Sequence, residues 1–349
     1  MTPAAARALY PVFKTRAYLN AGTCGPLADA TVAALTRSAL EELERGRSGT
    51  DRIERYFDLQ RRIQSGVGSV IGVDPSRVAI TSSTTEGCNI ALAAMRLGAD
   101  DEVVTTDNEH PGVTAPLAKC NAQVRVAEVL HHAASEALDR ILAQVTPRTR
   151  LIALSHVGWL NGQVLPVLEL KRATGLPVLV DGAQSAGAIP VQAADVDFYT
   201  VSCQKWLCAP DGTGALYVRD PEKLEPGLGG YMTVHGEGVD RFQIAHHAIP
   251  TLEAWVTALD LHPEWRYQRA AELSALAREQ LSQRFDVVTE ADQSTLVSFV
   301  APGEPLEVTA RLAERGVIVR DLPGTPWIRI SCGYWNDESD IDRLVKAFA

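Results

Sequence analysis

Five short segments of the chain place reactive side chains directly after an apolar run. They are Thr81-Ser82-Ser83-Thr84-Thr85-Glu86-Gly87, Asp107-Asn108-Glu109-His110, Ser155-His156, Asp181-Gly182-Ala183-Gln184 and Ser202-Cys203-Gln204-Lys205. Hydroxyls, an imidazole, an acid and an amine therefore gather where strands are expected to end. Lys205 is the most informative of them. The chain has six lysines, and only this one follows a strand among apolar neighbours, in Cys203-Gln204-Lys205-Trp206-Leu207. An amine taken out of water shifts toward neutrality, which suits a nucleophile or Schiff-base former; a lysine snorkelling beside Trp206 is the plainer alternative. Asp181 follows Pro177-Val178-Leu179-Val180. A carboxylate there needs an N–H or cationic partner, or else caps the following turn. Ser83-Thr84-Thr85-Glu86 fits a capping box, and the helix start behind it offers free N–H groups and a positive dipole end to a phosphate; an ordinary cap serves equally.

The elements that position these residues alternate. Short apolar strands at Val78-Ala79-Ile80, Glu102 to Thr106, Val124 to Val129, Leu151 to Leu154, Val178 to Val180, Phe198 to Ser202 and Ala215 to Val218 are separated mostly by segments of helical period. That pattern predicts an α/β fold with a mostly parallel sheet covered by helices on both faces. Ala28 to Arg62, continuing to Ile71, reads as helix, and Leu252 to Phe285 as one long helical stretch. The remaining C-terminal segments predict a small α+β unit. The expected division is an N-terminal arm (1–16), a large domain (17–250) and a small C-terminal domain (251–349), with a Gly-rich loop at Gly227 to Gly238.

Composition excludes several classes. The formal net charge is −10, from 33 basic and 43 acidic residues, so no basic field for nucleic acid is present. No apolar run is long enough to span a membrane, and no signal peptide is visible. The six cysteines show no CxxC spacing and read as reduced thiols of a cytoplasmic protein. His131-His132 and His246-His247 are adjacent pairs without carboxylates at ligand spacing, so no metal site is expected.

Asp181-Gly182-Ala183-Gln184-Ser185 with Ser202-Cys203-Gln204-Lys205-Trp206 downstream resembles the class V aminotransferase family, the cysteine desulfurase-like branch of fold-type I pyridoxal phosphate (PLP) enzymes. Thr84-Thr85-Glu86-Gly87-Cys88-Asn89, Glu109-His110-Pro111-Gly112, Ser155-His156-Val157-Gly158-Trp159 and Gly162-Gln163-Val164-Leu165-Pro166 support it over nearly the whole chain. Within the family the chain looks most like cysteine or cystine C–S lyases and isopenicillin N epimerase-like proteins. The resemblance implies a seven-stranded sheet, PLP as cofactor, and a homodimer with the cofactor sites at the subunit interface. It implies that Lys205 holds PLP covalently and acts as base at Cα, that Asp181 pairs with the ring nitrogen, and that His110 stacks on the ring. Gln184 would approach the ring hydroxyl oxygen. Thr84, Thr85, Ser202 and Gln204 would serve the phosphate. Arg329 would hold the substrate carboxylate, a task suited to a planar fork of donors; a surface ion pair with Asp337 or Asp340 is its plainer alternative. Asn20 and Trp159 fall at the substrate pocket.

The sequence departs from the family at four places. Gln204 stands where a His commonly precedes the lysine. Arg241-Phe242-Gln243-Ile244-Ala245-His246 lacks the family's cross-subunit phosphate-binding Thr; His246 or His247 either replaces it or merely lines the interface. Asn161 sits out of register with the family's Asn near the cofactor. Finally, Asp321 to Ile328 contains no Cys where desulfurases carry their sulfur-accepting thiol; Cys332 lies beyond Arg329, and Cys203 and Cys208 read as structural. Direct β-elimination needs no such thiol. The expected activity is therefore C–S cleavage of cysteine, cystine or a cysteine S-conjugate, giving pyruvate and ammonia plus a thiol, sulfide or persulfide. Epimerisation of an amino acid is the main alternative, followed by aminotransfer or desulfuration; an inactive PLP-fold scaffold is the non-enzymatic one.

Overall fold

The computed structural model describes residues 1–348. Among the described residues there are twelve strands: β1 (Ala17–Tyr18), β2 (Val78–Thr81), β3 (Glu102–Thr106), β4 (Gln123–Ala127), β5 (Thr149–Ser155), β6 (Val178–Asp181), β7 (Phe198–Ser202), β8 (Gly214–Val218), β9 (Leu296–Val300), β10 (Val317–Ile318), β11 (Arg320–Asp321) and β12 (Trp327–Ser331). Seven of them form one sheet in the order β2-β8-β7-β6-β5-β3-β4, with β8 antiparallel to both neighbours and all other pairs parallel. The strands read as unbroken apolar runs because both faces are buried. Ile152, Leu154, Val178, Val180 and Val201 enter the core on one face, and Leu151, Ala153, Leu179 and Phe198 the core on the other.

The chain leaves β3 toward β4 and leaves β5 in the opposite direction, toward β6. Ligands in open α/β sheets bind at such a reversal, beyond the carboxyl ends of the strands. Three of the five reactive segments identified from sequence follow β3, β5 and β6; the Lys205 segment follows the next strand, β7.

The C-terminal unit is a three-stranded antiparallel sheet, β11-β12-β9, backed by helices Arg266–Ser282, Pro305–Glu314 and Glu338–Ala347. The start of the chain joins it. β1 pairs in parallel with β10, and Ala17 and Leu19 pack with Leu273, Phe299 and Leu344. Arg7, on the first helix (Pro3–Ala8), forms ion pairs with Asp337 at 3.1 Å and Asp340 at 2.6 Å.

Two expected helices are each divided. The first breaks into Asp29–Arg45 and Thr50–Ile71 at Gly46 (φ 82°) and Gly49 (φ 108°), conformations that a side chain resists. The second breaks into Ile249–Leu259 and Arg266–Ser282 around Pro263, which cannot donate to a continuing helix. No helix among the described residues is long and apolar enough to cross a membrane.

Candidate active site

Asp181 closes β6, in register with Ser155 of β5 and Thr200 of β7. It is buried, and its Oδ1 accepts the Ala183 N–H at 2.8 Å. Burial raises its pKa, and the nearby Lys205 pulls it back down. Lys205 lies just beyond β7 and is partly exposed. Burial lowers its amine to about 8; the Asp181 carboxylate opposes that shift and Arg329 adds to it. A lysine held this close to neutrality supplies a nucleophilic amine at physiological pH.

His110 opens the helix Pro111–Leu117, its Nδ1 accepting the Gly112 N–H at 3.0 Å. The ring proton is thereby assigned to Nε2. Burial, and then the positive charges of Lys205, Arg329 and Arg320, push its pKa down to about 4, so the imidazole is neutral at pH 7. Trp159 meets it edge to face, ring centroids 5.0 Å apart. A Cβ at Gly112 would stand 2.7 Å from Thr85 Oγ1 and 3.1 Å from His110 Nδ1, so two helix starts converge here. At the first of them, Ser83 Oγ accepts the Glu86 N–H at 3.1 Å. The capping box is incomplete, because the Glu86 carboxylate accepts from Ser82 N–H and not from the cap residue itself. Thr84 and Ser202 are buried and Thr85 is exposed.

Arg329 sits in β12 and is 2% exposed. Its Nη1 donates to the Trp159 carbonyl at 2.6 Å, while its Nε has no partner. Asp337 and Asp340 are engaged by Arg7, which removes the surface ion pair considered for Arg329. Burial and the neighbouring Arg320 lower its pKa to about 9. Ser331 Oγ is also buried and unpartnered. A Cβ at Gly22 would lie 2.8 Å from both Arg329 Nη2 and Ser331 Oγ, so the glycine keeps the space in front of these donors open. Asn20 flanks it, bridged to Ser331 and accepting the Thr23 hydroxyl at 2.8 Å.

Of the other expected residues, Gln184 and Asn161 have structural partners. Gln184 Nε2 donates to Gly22 O at 2.8 Å and its Oε1 accepts the Trp206 indole N–H at 3.0 Å, which leaves one amide hydrogen free. Gln204 Oε1 is buried without a partner. Asn161 is occupied by Leu130 O, Asn108 Nδ2 and Gln163 N, so it braces the loop. His246 is exposed, stacks on Tyr56 at 4.5 Å, and lines a cavity of about 530 Å³ with Arg52, Phe57 and Tyr231 that Lys205 does not line. His247 instead is buried, with neither ring nitrogen partnered, and lies close enough to Glu86 to feel its charge.

Three groups were not singled out from sequence. Arg320 stands directly across the β11–β12 pair from Arg329, with no carboxylate in ion-pair range among the described residues. Its signal was hairpin register, which a single strand does not display. Glu109 is buried; its carboxylate accepts from Ser155 N (2.8 Å), Ser155 Oγ (2.6 Å) and Thr106 Oγ1 (2.6 Å), and burial raises it to about 7. Cys24, in the loop beside Gly22, is partly exposed and close enough to Lys205 for each to shift the other.

These residues fit PLP. A near-neutral lysine beside a buried aspartate, a flat neutral imidazole, hydroxyls at a helix start and an unpaired buried guanidinium are the donor set that a charged pyridine aldehyde phosphate and an amino acid require. No cluster among the described residues could hold a metal. The comparisons agree. A model of the family described as Aminotransferase class-V matches residues 19–344. Isopenicillin N epimerase of Streptomyces clavuligerus is 28% identical, covering 94% of this chain and 93% of that protein. Cysteine desulfurase CsdA of Escherichia coli is 28% identical over 78% of each. Two solved structures of C-DES superpose with a TM-score of 0.90 at 29% identity, covering 97% of this chain and 98% of theirs. One carries glycine covalently linked to the PLP cofactor, and the other is described as the cystine C–S lyase with its product cysteine persulfide. The chain belongs to the class V aminotransferase family and is a PLP-dependent enzyme with the fold-type I architecture.

Proposed function

We propose that this enzyme is a C–S lyase that cleaves cystine, or a cysteine S-conjugate bearing a second carboxylate, by β-elimination. The observation that carries the reading is the cross-strand pair Arg320 and Arg329, two guanidiniums close enough to His110 to shift it and without a carboxylate partner. Like charges held together cost free energy unless a ligand neutralises them, and a substrate with two carboxylates does so. Bound PLP supplies an electron sink for the Cα substituents. Arg329 and Ser331 Oγ hold the α-carboxylate, which orients the Cα–H bond. The Lys205 amine takes the Cα proton, and Asp181 keeps the ring nitrogen protonated. His110, neutral at pH 7, offers a flat face without adding charge. Residues 321–328 carry no thiol, so the sulfur departs with its leaving group.

We also propose a cytoplasmic homodimer, a reading supported by six free cysteines and by exposed Ile53, Phe57 and Tyr231 around the cavity at His246. The test of function is pyruvate release from L-cystine and L-cysteine by the PLP-loaded protein, with Lys205→Ala as control. Release that requires Lys205 and prefers cystine supports the reading; alanine, or no pyruvate, overturns it. Similarity to isopenicillin N epimerase over nearly all of both chains favours a second reading, epimerisation, which the same reactions reveal as a D-amino acid without pyruvate.

A further inference from the structure

We propose that Tyr199, His156 and Ser185 form a buried positioning network that aims the Asp181 carboxylate at the cofactor's ring nitrogen, so that PLP affinity depends on three side chains behind that carboxylate. The proposal rests on the role given to Asp181 above and not on which substrate bond breaks. His156 follows β5 in one of the reactive segments, yet none of the cofactor or substrate contacts described so far uses it. The three side chains come from three neighbouring parallel strands: His156 directly after β5, Ser185 in the turn after β6, and Tyr199 within β7. They meet at the tyrosine hydroxyl. Its oxygen lies 2.6 Å from Ser185 Oγ and 2.9 Å from His156 Nδ1, and the two rings stand perpendicular with centroids 5.9 Å apart.

The turn held by these groups is the one that carries Asp181. Gly182 N–H donates to Thr200 O at 2.9 Å, and Ser185 and Ala186 N–H donate to Gly182 O at 3.1 and 3.0 Å. His156 N–H donates to Asp181 O at 2.9 Å. A Cβ at Gly182 would collide with the Tyr199 ring, so ring and turn backbone are in contact. Asp181 Oδ1 is tied to the Ala183 N–H of the same turn, so a tilt of the turn swings the carboxylate with it. Hydrogen bonds weaken as they bend, and a carboxylate swung off line holds a ring N–H less well.

The network is closed and uncharged. Ser185 Oγ donates to Gly182 O at 3.2 Å, so it accepts the Tyr199 proton, and Tyr199 Oη accepts from His156 Nδ1–H. Tyr199 and Ser185 are 1% and 0% exposed. Burial pushes the tyrosine far up and lowers His156 to about 4, so neither is charged at neutral pH. The Asp181 charge is close enough to add to the tyrosine's shift. A buried polar network with every member satisfied rigidifies what it holds.

The experiment measures, by absorbance titration of the cofactor-free protein, the dissociation constants of PLP and of its deaza analogue, in which carbon replaces the ring nitrogen. Tyr199→Phe keeps the ring against Gly182 and removes the hydroxyl, while Ser185→Ala and His156→Leu break the other two links. Each should raise the PLP constant about 2- to 13-fold, the span of one hydrogen bond, and leave that of the analogue unchanged. His156→Asn, which keeps a polar group at the place of Nδ1, should stay near the parent protein. Asp181→Asn serves as the reference and should also lose PLP preferentially. Circular dichroism reports the fold. Equal losses on PLP and the analogue, unchanged PLP constants in folded variants, or loss of the fold in all three would overturn the proposal and leave the network purely structural. If Asp181→Asn itself does not separate the two cofactors, the role given to Asp181 falls and the proposal with it. If Asp181→Asn separates them and the network variants do not, only the network proposal falls.

Discussion

Replacing Arg320 by Met tests the two-carboxylate reading, because the change should act on one substrate and spare another. A charge-assisted hydrogen bond contributes about 1.5–3 kcal/mol. Arg320 is only partly buried, so screening places the lost contact nearer about 1–2 kcal/mol. At roughly 1.4 kcal/mol per decade, KM for L-cystine should rise about 5- to 30-fold. KM for L-cysteine, which has one carboxylate, should stay level or fall slightly. The reason is that Arg320 depresses Arg329, and its removal leaves Arg329 a firmer cation. The assay is pyruvate release over a range of each substrate, with circular dichroism to show an intact fold. Equal losses on both substrates, or an unchanged KM for cystine, would refute the reasoning.

Other consequences follow from the same geometry. Asp181→Asn removes the charge that holds the Lys205 amine up, so PLP uptake by the cofactor-free protein, which needs the neutral amine, should shift its pH midpoint below about 8; a midpoint that stays or rises contradicts the assigned coupling. His110 is neutral at every pH above about 4, so turnover should show no inflection near 6.5 that disappears in His110→Asn. Gly22→Ala places a methyl 2.8 Å from Arg329 Nη2 and Ser331 Oγ, and should raise KM for every amino-acid substrate while PLP absorbance is retained. The Glu109 carboxyl, raised to about 7, stabilises the fold fully below its unfolded value near 4.5 and loses that contribution as pH rises through 7; thermal melts of Glu109→Gln should lack that decline.

Much of the sheet was legible because burial on both faces writes a strand as a run such as Val178-Leu179-Val180. The placement of Asp181 and Lys205 at strand ends was legible for a related reason: each directly follows such a run. The helix breaks were missed because the amphipathic period persists across Gly46 and Pro263 and outweighs a single breaker. The freedom of Arg329 was undecidable from sequence, since it depends on Arg7, on the first helix, occupying Asp337 and Asp340. Arg320 and Cys24 escaped notice because each owes its place to a neighbour distant in sequence: a facing strand for one, the Lys205 backbone for the other.

The pairing of β1 with β10 also sets a clock. Ala17 meets Val317, a partner 300 positions later in the chain. At about 5–20 residues per second, the first strand emerges roughly 15–60 s before that partner exists. Over the last 112 positions of that interval, about 6–22 s, the segment bearing Asp181 and Lys205 is already available to fold, while the Gly22 loop has neither Ser331 nor Arg329 to close against. A nascent chain would thus acquire its cofactor cleft before its carboxylate clamp, and would be able to take up PLP before it could grip an amino acid.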